Sequence, residues 1–102
     1  MLPVFMQVIA KRTIRQCWER HPKAETPLRV WFSQVSAATW AGPADIRLTF
    51  GSADFVGDYR VIFDIGGNKY RLVTHVSYRF SRVLIKFVGT HKEYDGIDPE
   101  KV

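Results

Sequence analysis

A histidine, a lysine and a tyrosine lie close together near the C-terminal end of the chain, at His91, Lys92 and Tyr94. Histidine exchanges protons near neutral pH, and lysine can offset negative charge that develops on a phosphate. Tyr94 can take part in proton transfer only if neighbouring cations lower its pKa. His75, in the middle of a predicted strand, competes for the role of His91. These residue types favour acid–base chemistry at a phosphodiester.

Cations suited to holding a phosphate precede this cluster. Arg71 is the strongest candidate, because a guanidinium group can bind two phosphate oxygens at once, and Lys86 is the second. Other basic or titratable groups on the same predicted surface would widen the contact with a polyanion, and they are Arg60, Lys69, His75 and Arg82.

Three predicted antiparallel strands would bring these groups together. Apolar residues alternate over residues 59–65, 69–77 and 82–88, and Gly66-Gly67-Asn68 predicts the turn between the first two strands. The residues predicted to face the core are Tyr59, Val61, Phe63, Ile65, Tyr70, Leu72, Val76, Val83, Ile85 and Phe87. The period of two places the cations on the opposite face, interrupted by Ile62, Val73, Leu84 and Val88.

The charge of that opposite face favours binding of nucleic acid. An ordinary solvated face mixes the two signs, whereas this one offers only Asp64 against the excess of cations. Its apolar residues would form a groove floor that packs against ribose or bases while the cations hold phosphates. The alternative is that these charges only solvate the outer face of the sheet.

Two helices and a first strand precede the meander. Residues 4–9 predict a strand at a sheet edge, and an apolar stripe from Lys11 predicts a helix that Pro22 stops. Thr26-Pro27 predicts the start of a second helix, and its apolar face consists of Leu28, Trp31, Phe32 and Val35. Residues 45–50 are compatible with a helical turn or with extended chain. The order of elements predicts an α+β fold, with the strand and the two-helix hairpin packed on a small, mainly antiparallel sheet.

Composition limits the class of protein. The 102 residues predict a single domain, and 46% hydrophobic with 25% charged residues is typical of a globular chain. The net charge is +5, and residues 1–90 hold 13 Lys and Arg against 6 Asp and Glu. A single cysteine, Cys17, excludes an intramolecular disulfide and favours a reducing compartment, and its place on an apolar stripe predicts a buried structural thiol. Neither a membrane span nor a signal peptide is indicated, so we expect a cytoplasmic protein with no membrane contact.

Other chemistries find little support in the motifs. There is no Cys-x-x-Cys, no His-Glu-x-x-His and no carboxylate cluster, so neither a metal nor another cofactor is expected. Gly66-Gly67-Asn68 lacks the rest of a phosphate-binding loop, and His21 is expected to be a structural cation at a helix end. RNA carries its own 2′-OH nucleophile, which makes it the more economical substrate for cleavage without a metal.

At these residues the chain resembles the HigB family of toxins, within the RelE-like messenger-RNA interferases. The resemblance rests on residues 67–73, on residues 85–95 with their Thr-His-x-Glu-Tyr-Asp segment, and on Ile97-Asp98. It extends upstream to residues 8–12 and 18–22, and so covers nearly the whole chain from Met6.

The resemblance implies a RelE-like fold and the toxin of a two-gene toxin–antitoxin pair, which cleaves messenger RNA during translation on the ribosome. It implies a HigA-like antitoxin with a helix-turn-helix domain as partner, and contact with operator DNA only through that antitoxin. The site residues it implies are Arg71, Lys86, His91, Lys92 and Tyr94, with Asn68 nearby. Lys86 departs from relatives that often have Arg there.

Two alternatives stay open. In the first, the chain is a non-catalytic RNA- or ribosome-binding module, and the segment at Thr90-His91 merely caps a tail helix. In the second, it is a structural subunit whose basic face is covered by an acidic antitoxin.

Overall fold

The computed structural model describes residues 4–102, and its elements form a mixed five-stranded sheet with helices packed against it. The strands are β1 (Gln7–Ile9), β2 (Asp54–Val56), β3 (Arg60–Ile65), β4 (Tyr70–Ser77) and β5 (Arg82–Thr90). The helices are α1 (Lys11–Arg20), α2 (Glu25–Ser36), α3 (Pro43–Thr49) and α4 (His91–Tyr94), with a 3₁₀ turn at Pro22–Ala24. The strand order is β1-β5-β4-β3-β2, and only the β1–β5 pair is parallel.

The core lies between α1, α2 and one face of the sheet. Helix α1 buries Ile14, Cys17 and Trp18, and helix α2 buries Leu28, Trp31 and Val35. The ring of Trp31 meets that of Phe63 edge-on, with 5.4 Å between the centroids. The predicted α+β arrangement of an edge strand and a helical hairpin on a mainly antiparallel sheet is therefore confirmed. Cys17 is 1% exposed and burial raises the pKa of its thiol, which confirms a structural role.

The structure differs locally from the sequence prediction, and it decides one segment that the sequence left open. Strand β1 begins at Gln7, within the predicted range of residues 4–9. Helix α2 begins at Glu25 rather than after a Thr26 cap, because the 3₁₀ turn leads directly into it and no side chain caps its first turn. The undecided segment at residues 45–50 lies mostly in α3, which starts with Pro43 in its first turn. Strand β2, which pairs antiparallel with β3, was not predicted.

A β-bulge in β5 changes which residues face the core. Thr74 pairs with Ile85 but Val73 pairs with Phe87, so Lys86 is the extra residue of the bulge. The inserted residue inverts the alternation beyond it. Val88 therefore joins the core, and Phe87 lies on the opposite face. The prediction of Phe87 inside and Val88 outside is wrong for this reason.

Tyr59 does not face the core as predicted. Its side chain is 64% exposed, and the residue precedes β3 in a turn with a φ of +57°. A left-handed backbone takes it out of the strand, so the period of two does not apply to it.

The centre of the opposite face, which we call the outer face, is covered rather than open. Ile62 is 4% exposed and Val73 is 0% exposed, so they do not form the exposed groove floor that the sequence predicted. The C-terminal segment reaches this face, because the Arg60 guanidinium donates a hydrogen bond of 2.7 Å to the carbonyl oxygen of Val102. Within residues 4–102, no helix is both long enough and apolar enough to cross a membrane.

Candidate active site

The site is built where β5 ends and α4 begins. Thr90 and Glu93 form a capping box: Thr90 Oγ1 accepts from the Glu93 N–H at 3.1 Å, and Glu93 Oε1 accepts from the Thr90 N–H at 2.8 Å. The His91 N–H donates to the carbonyl oxygen of Lys69 at 3.0 Å. These bonds fix α4 against the turn before β4, and so fix the positions of His91 and Tyr94.

Glu93 also ties α4 to the helical layer. Its Oε1 lies 3.3 Å from Nε2 of His21, the residue that follows α1. The backbone hydrogen bond from Thr90 lowers the pKa of the Glu93 carboxyl; Arg20 and His21 lower it further, against the effect of partial burial. His21 therefore has the structural place expected of it, but its partner is the side chain of Glu93.

Arg71 is held by three groups at the start of β4. Its Nε lies 3.1 Å from Asp64 Oδ1, and its Nη2 donates to the side-chain oxygen of Asn68. Its Nη1 makes longer contacts with the carbonyl oxygens of Asn68 and Tyr70, at 3.4 and 3.3 Å. The side chain is 13% exposed, and its guanidinium carbon lies 6.0 Å from the centroid of the Tyr94 ring. The cation is thus held in a fixed orientation beside α4.

His91 is oriented by Asp95. The imidazole Nδ1 lies 3.3 Å from Asp95 Oδ2, one helical turn further along, and 45% of the His91 side chain is exposed. A carboxylate at Nδ1 favours the tautomer with a proton on that nitrogen, which leaves the lone pair of Nε2 free to accept a proton. The rings of His91 and Tyr94 lie 6.5 Å apart at 76°.

Tyr94 is a phenol rather than a phenolate. Burial raises its pKa above the usual 10.0; Arg71 lowers it, but Asp54, Asp95 and Asp64 add to the effect of burial. The condition that the sequence set for proton transfer, a pKa of Tyr94 lowered by neighbouring cations, is therefore not met, because burial and the three carboxylates outweigh Arg71. Tyr94 is suited to donate a proton or a hydrogen bond.

The ten predicted site residues fall into two groups on the molecule. One group, at the α4 end, contains Asn68, Lys69, Arg71, His91, Lys92 and Tyr94. The other is at the far end of the outer face, where Arg60 pairs with His75 and Ser77 with Arg82. Arg71 and His75 are about 13 Å apart along β4, at ~3.3 Å per residue. Lys86 lies between the groups in the bulge, and Lys69, Lys86 and Lys92 are exposed.

Two carboxylates that contact predicted site residues are not among the sequence predictions. In the sequence, Asp64 stands out only as the one charge that opposes the cations, and Asp95 only as part of a motif. Asp64 stands directly opposite Arg71 across the β3–β4 hairpin, because the turn between the strands has four residues, 66–69, rather than the three that were predicted. Asp95 follows His91 by four residues, the spacing at which side chains meet on a helix. Within residues 4–102, no three His, Cys, Asp or Glu side chains are grouped as metal ligands.

Comparison with known proteins shows the family of the chain. A family model described as HigB_toxin, the RelE-like toxic component of a toxin-antitoxin system, matches residues 24–97. The chain belongs to this family. The resemblance and the RelE-like fold that the motifs indicated are thereby confirmed. The matched range of this HigB-family chain includes all ten predicted site residues and both orienting carboxylates.

Curated relatives match this HigB-family chain over most of its length. The mRNA interferase toxin HigB of Escherichia coli K12 is 28% identical over 92 residues, which cover 88% of each chain. The mRNA interferase HigB of Shigella flexneri gives the same figures. The mRNA interferase HigB of Escherichia coli O6:H1 is 25% identical over 93 residues, covering 88% of this chain and 89% of the relative.

Proposed function

We propose that this chain is a cytoplasmic endoribonuclease toxin that cleaves messenger RNA while it is being translated on the ribosome. The observation that carries the proposal is the convergence of Arg71, His91 and Tyr94 at one end of the outer face, a phosphate-binding cation beside a proton acceptor and a proton donor. The names of the curated relatives support messenger RNA as the substrate.

Cleavage begins at the 2′-OH of the RNA. Nε2 of His91 accepts the hydroxyl proton while the 2′-oxygen attacks the adjacent phosphorus, and Asp95 holds the imidazole in place. The bond from phosphorus to the 5′-oxygen then breaks, and the phenol of Tyr94 donates its proton to that leaving oxygen. The products are a 2′,3′-cyclic phosphate and a 5′-OH, and the proton taken by His91 returns to Tyr94 through solvent.

Charge stabilisation comes chiefly from Arg71. Its guanidinium, oriented by Asp64 and Asn68, binds the non-bridging oxygens of the scissile phosphate and offsets the charge of the pentavalent transition state. Lys86 and Lys92 are exposed, and they can approach the same phosphate or its neighbours from the solvent side.

The partner of the toxin is a HigA-like antitoxin with a helix-turn-helix domain. The family description supports an antitoxin of some kind. In this proposal, operator DNA is contacted only by the antitoxin, and the cations of the toxin are kept for RNA.

A reconstituted translation reaction tests the proposal. Purified protein is added to a messenger RNA with and without translating ribosomes, and the fragment ends are labelled with a kinase that requires a 5′-OH. We expect labelled cuts inside the reading frame only during translation, weakened in His91→Ala and unchanged in Lys23→Ala, an exposed site on the helical layer. Intact message, or fragments with 5′-phosphates, would contradict the mechanism.

The rival function is a non-catalytic RNA-binding module, and one observation favours it: Thr90 does cap α4, as that alternative requires. It predicts that RNA binds in a salt-sensitive way but stays intact in the same reaction.

A further inference from the structure

A cavity separate from the candidate active site lies on the outer face, at the end of the sheet away from α4. Its volume is about 370 Å³, within the ~300–1,000 Å³ range of small-ligand sites. It is lined by Tyr59, His75, Val76, Ser77, Tyr78 and Arg79. A smaller neighbouring cleft shares Tyr59 and Tyr78 and reaches Arg60. The proposed cleavage mechanism uses none of these residues.

Aromatic rings frame this cavity. The centroid of the Tyr59 ring lies 6.2 Å from that of His75 and 6.3 Å from that of Tyr78, at 60° and 61°. Tyr59 is 64% exposed although its backbone has a φ of +57°, a region that large side chains rarely adopt. This exposed ring contributes little to the core and is open to contact from solvent.

The charge around the cavity is positive. Arg79 lines it, and Arg82 pairs with Ser77 on the adjoining strand. Both guanidinium groups also lie over the ring of Phe80, at 5.3 and 5.5 Å from its centroid, and that ring is 58% exposed. Among the residues that the structure describes, no acidic side chain lines the cavity.

Two residues that line the cavity are suited to contact with a ligand, one through an unpaired ring nitrogen and the other through an uncharged phenol. Nδ1 of His75 is buried and has no hydrogen-bond partner within residues 4–102. Burial raises the pKa of Tyr78, and Asp45 and Tyr59 raise it further, so this phenol stays neutral beside an anionic chain. The carboxylate of Asp45 is itself engaged, since it accepts the Ala41 N–H at 2.8 Å.

We propose that this cavity is a nucleobase-stacking subsite for single-stranded RNA, on the same face as Arg71 and about 13 Å from it along β4. The base stacks on the exposed ring of Tyr59 and meets the Tyr78 ring at its edge, and the flanking phosphates are held by Arg79 and Arg82. Neutral aromatic rings edged by arginines are the usual way in which proteins bind single strands without strong sequence preference. The proposal rests on the proposed function, because it takes RNA as the substrate that continues beyond the scissile phosphate.

The test measures binding of the wild-type protein to a short single-stranded 2′-O-methyl RNA, which has no attacking hydroxyl and stays uncut. Removing a stacked base typically weakens binding about 5- to 150-fold. We expect Tyr59→Ala to weaken affinity within this range and Tyr59→Phe to keep it. An oligonucleotide that lacks one base is then moved along the sequence. At one position the missing base should weaken binding as much as Tyr59→Ala does, and the two changes together should cost no more than either alone.

The controls separate loss of the subsite from loss of the fold. Val30→Ala removes another exposed apolar side chain, from α2 on the helical layer, and should leave affinity unchanged. Thermal unfolding shows whether each variant is folded. If Tyr59→Ala does not fold, Arg79→Gln replaces it in the test, because Arg79 is an exposed residue that lines the cavity and its loss should also weaken binding.

Three outcomes overturn the proposal: no measurable affinity for the oligonucleotide, equal affinity of Tyr59→Ala and wild type, or a Tyr59→Ala effect that is seen only with a protein partner.

The experiments distinguish failure of the subsite from failure of the nuclease. Base-dependent binding with uncut messages would keep the subsite and reject the nuclease, whereas cut messages with unchanged binding would reject the subsite alone.

Discussion

Two carboxylates in the site orient other side chains. Asp64 holds the guanidinium of Arg71, and Asp95 holds the imidazole of His91. Each partner is thereby restricted to one orientation before substrate arrives, which reduces the entropy lost on reaching the transition state. Both acidic residues also act on the neighbouring phenol, since they help to keep the pKa of Tyr94 above 10.0. In the proposed mechanism, the same charges therefore position the cation and the base and keep the proton on the acid.

Replacing Asp64 tests the positioning role. We expect Asp64→Asn to slow RNA cleavage on the order of 10- to 100-fold, because the guanidinium of Arg71 is no longer held in one orientation. Asp64→Glu, which keeps a carboxylate, should restore part of the rate. Asp58→Asn, in an exposed loop, is the control for removal of one negative charge. Full activity of Asp64→Asn would show that the ion pair does not matter for cleavage.

The raised pKa of Tyr94 gives a prediction about pH. A phenol that must be protonated works below its pKa, and a raised pKa moves the alkaline loss of activity above pH 10.0. The absorbance titration of phenolate in wild type minus that in Tyr94→Phe should therefore have its midpoint above 10.0. Tyr94→Phe should lose about 10²- to 10⁴-fold in cleavage rate, as is typical when a general acid is removed. A midpoint below 10.0 would contradict the assignment of Tyr94 as the donor.

At the scale of the elements, the bulge in β5 decides which side chains reach the site. The extra residue, Lys86, places Phe87 on the outer face, where its ring lies 6.4 Å from that of Tyr94, and places Val88 in the core. Tyr94 of α4 therefore lies beside the ring of Phe87, a side chain that regular alternation would have buried in the core. The bulge links the core packing of β5 to the position of α4.

Deleting Lys86 tests this link. The deletion removes the extra residue, so Ile85, Phe87 and Val88 form a regular ladder with Thr74, Val73 and Leu72, and each keeps its present face. The strand loses the local bend that a bulge produces, and we expect cleavage to slow by roughly 10-fold or more, because α4 follows directly from β5. Lys86→Ala keeps the bulge and removes only the charge, so its stability should be close to wild type. Chemical denaturation checks that both variants fold, and a deletion variant that cleaves RNA as fast as Lys86→Ala would contradict the link between the bulge and the site.

The capping box of α4 gives a second test at this scale. Thr90→Ala should cost about 1 kcal/mol of stability, or roughly 4 to 8 °C in Tm. At a temperature where the variant stays folded, the cleavage rate should still fall, because the positions of His91 and Tyr94 depend on α4. Ser52→Ala, in an exposed loop, is the matched loss of a hydroxyl. A lower Tm with an unchanged rate would separate the cap from the site.

What the sequence predicted and what it missed have physical causes at this same scale. Periodicity gave the helical hairpin and the three long strands, because those patterns reflect local burial. The bulge has no local signal, since the run from Leu84 to Phe87 contains no glycine or proline and the insertion is defined only by pairing with β4. The inversion of Phe87 and Val88 could therefore not be read from one strand. The residues of the site lie in short motifs, but their orienting carboxylates come from strand register and helix spacing.

At the scale of the whole molecule, the sheet separates the hydrophobic core from the surface that holds the candidate site. The helices α1 and α2 cover one face and hold most of the buried apolar residues, while the outer face holds Arg71 at one end and the aromatic cavity at the other. RNA that contacts both ends must pass over the covered centre of this face. The net charge of the chain, +5, favours its association with a polyanion such as RNA.

The central claim is that Arg71 binds the scissile phosphate of translated messenger RNA, and primer extension on cellular messages after brief induction tests it most directly. Wild type is compared with Arg71→Ala and with Arg12→Ala, an exposed arginine of α1 that serves as the control for charge. We predict new cleavage sites within reading frames for wild type and Arg12→Ala, and none for Arg71→Ala although it is folded. Intact messages with the wild-type chain, or the same cleavage sites with Arg71→Ala, would contradict the account.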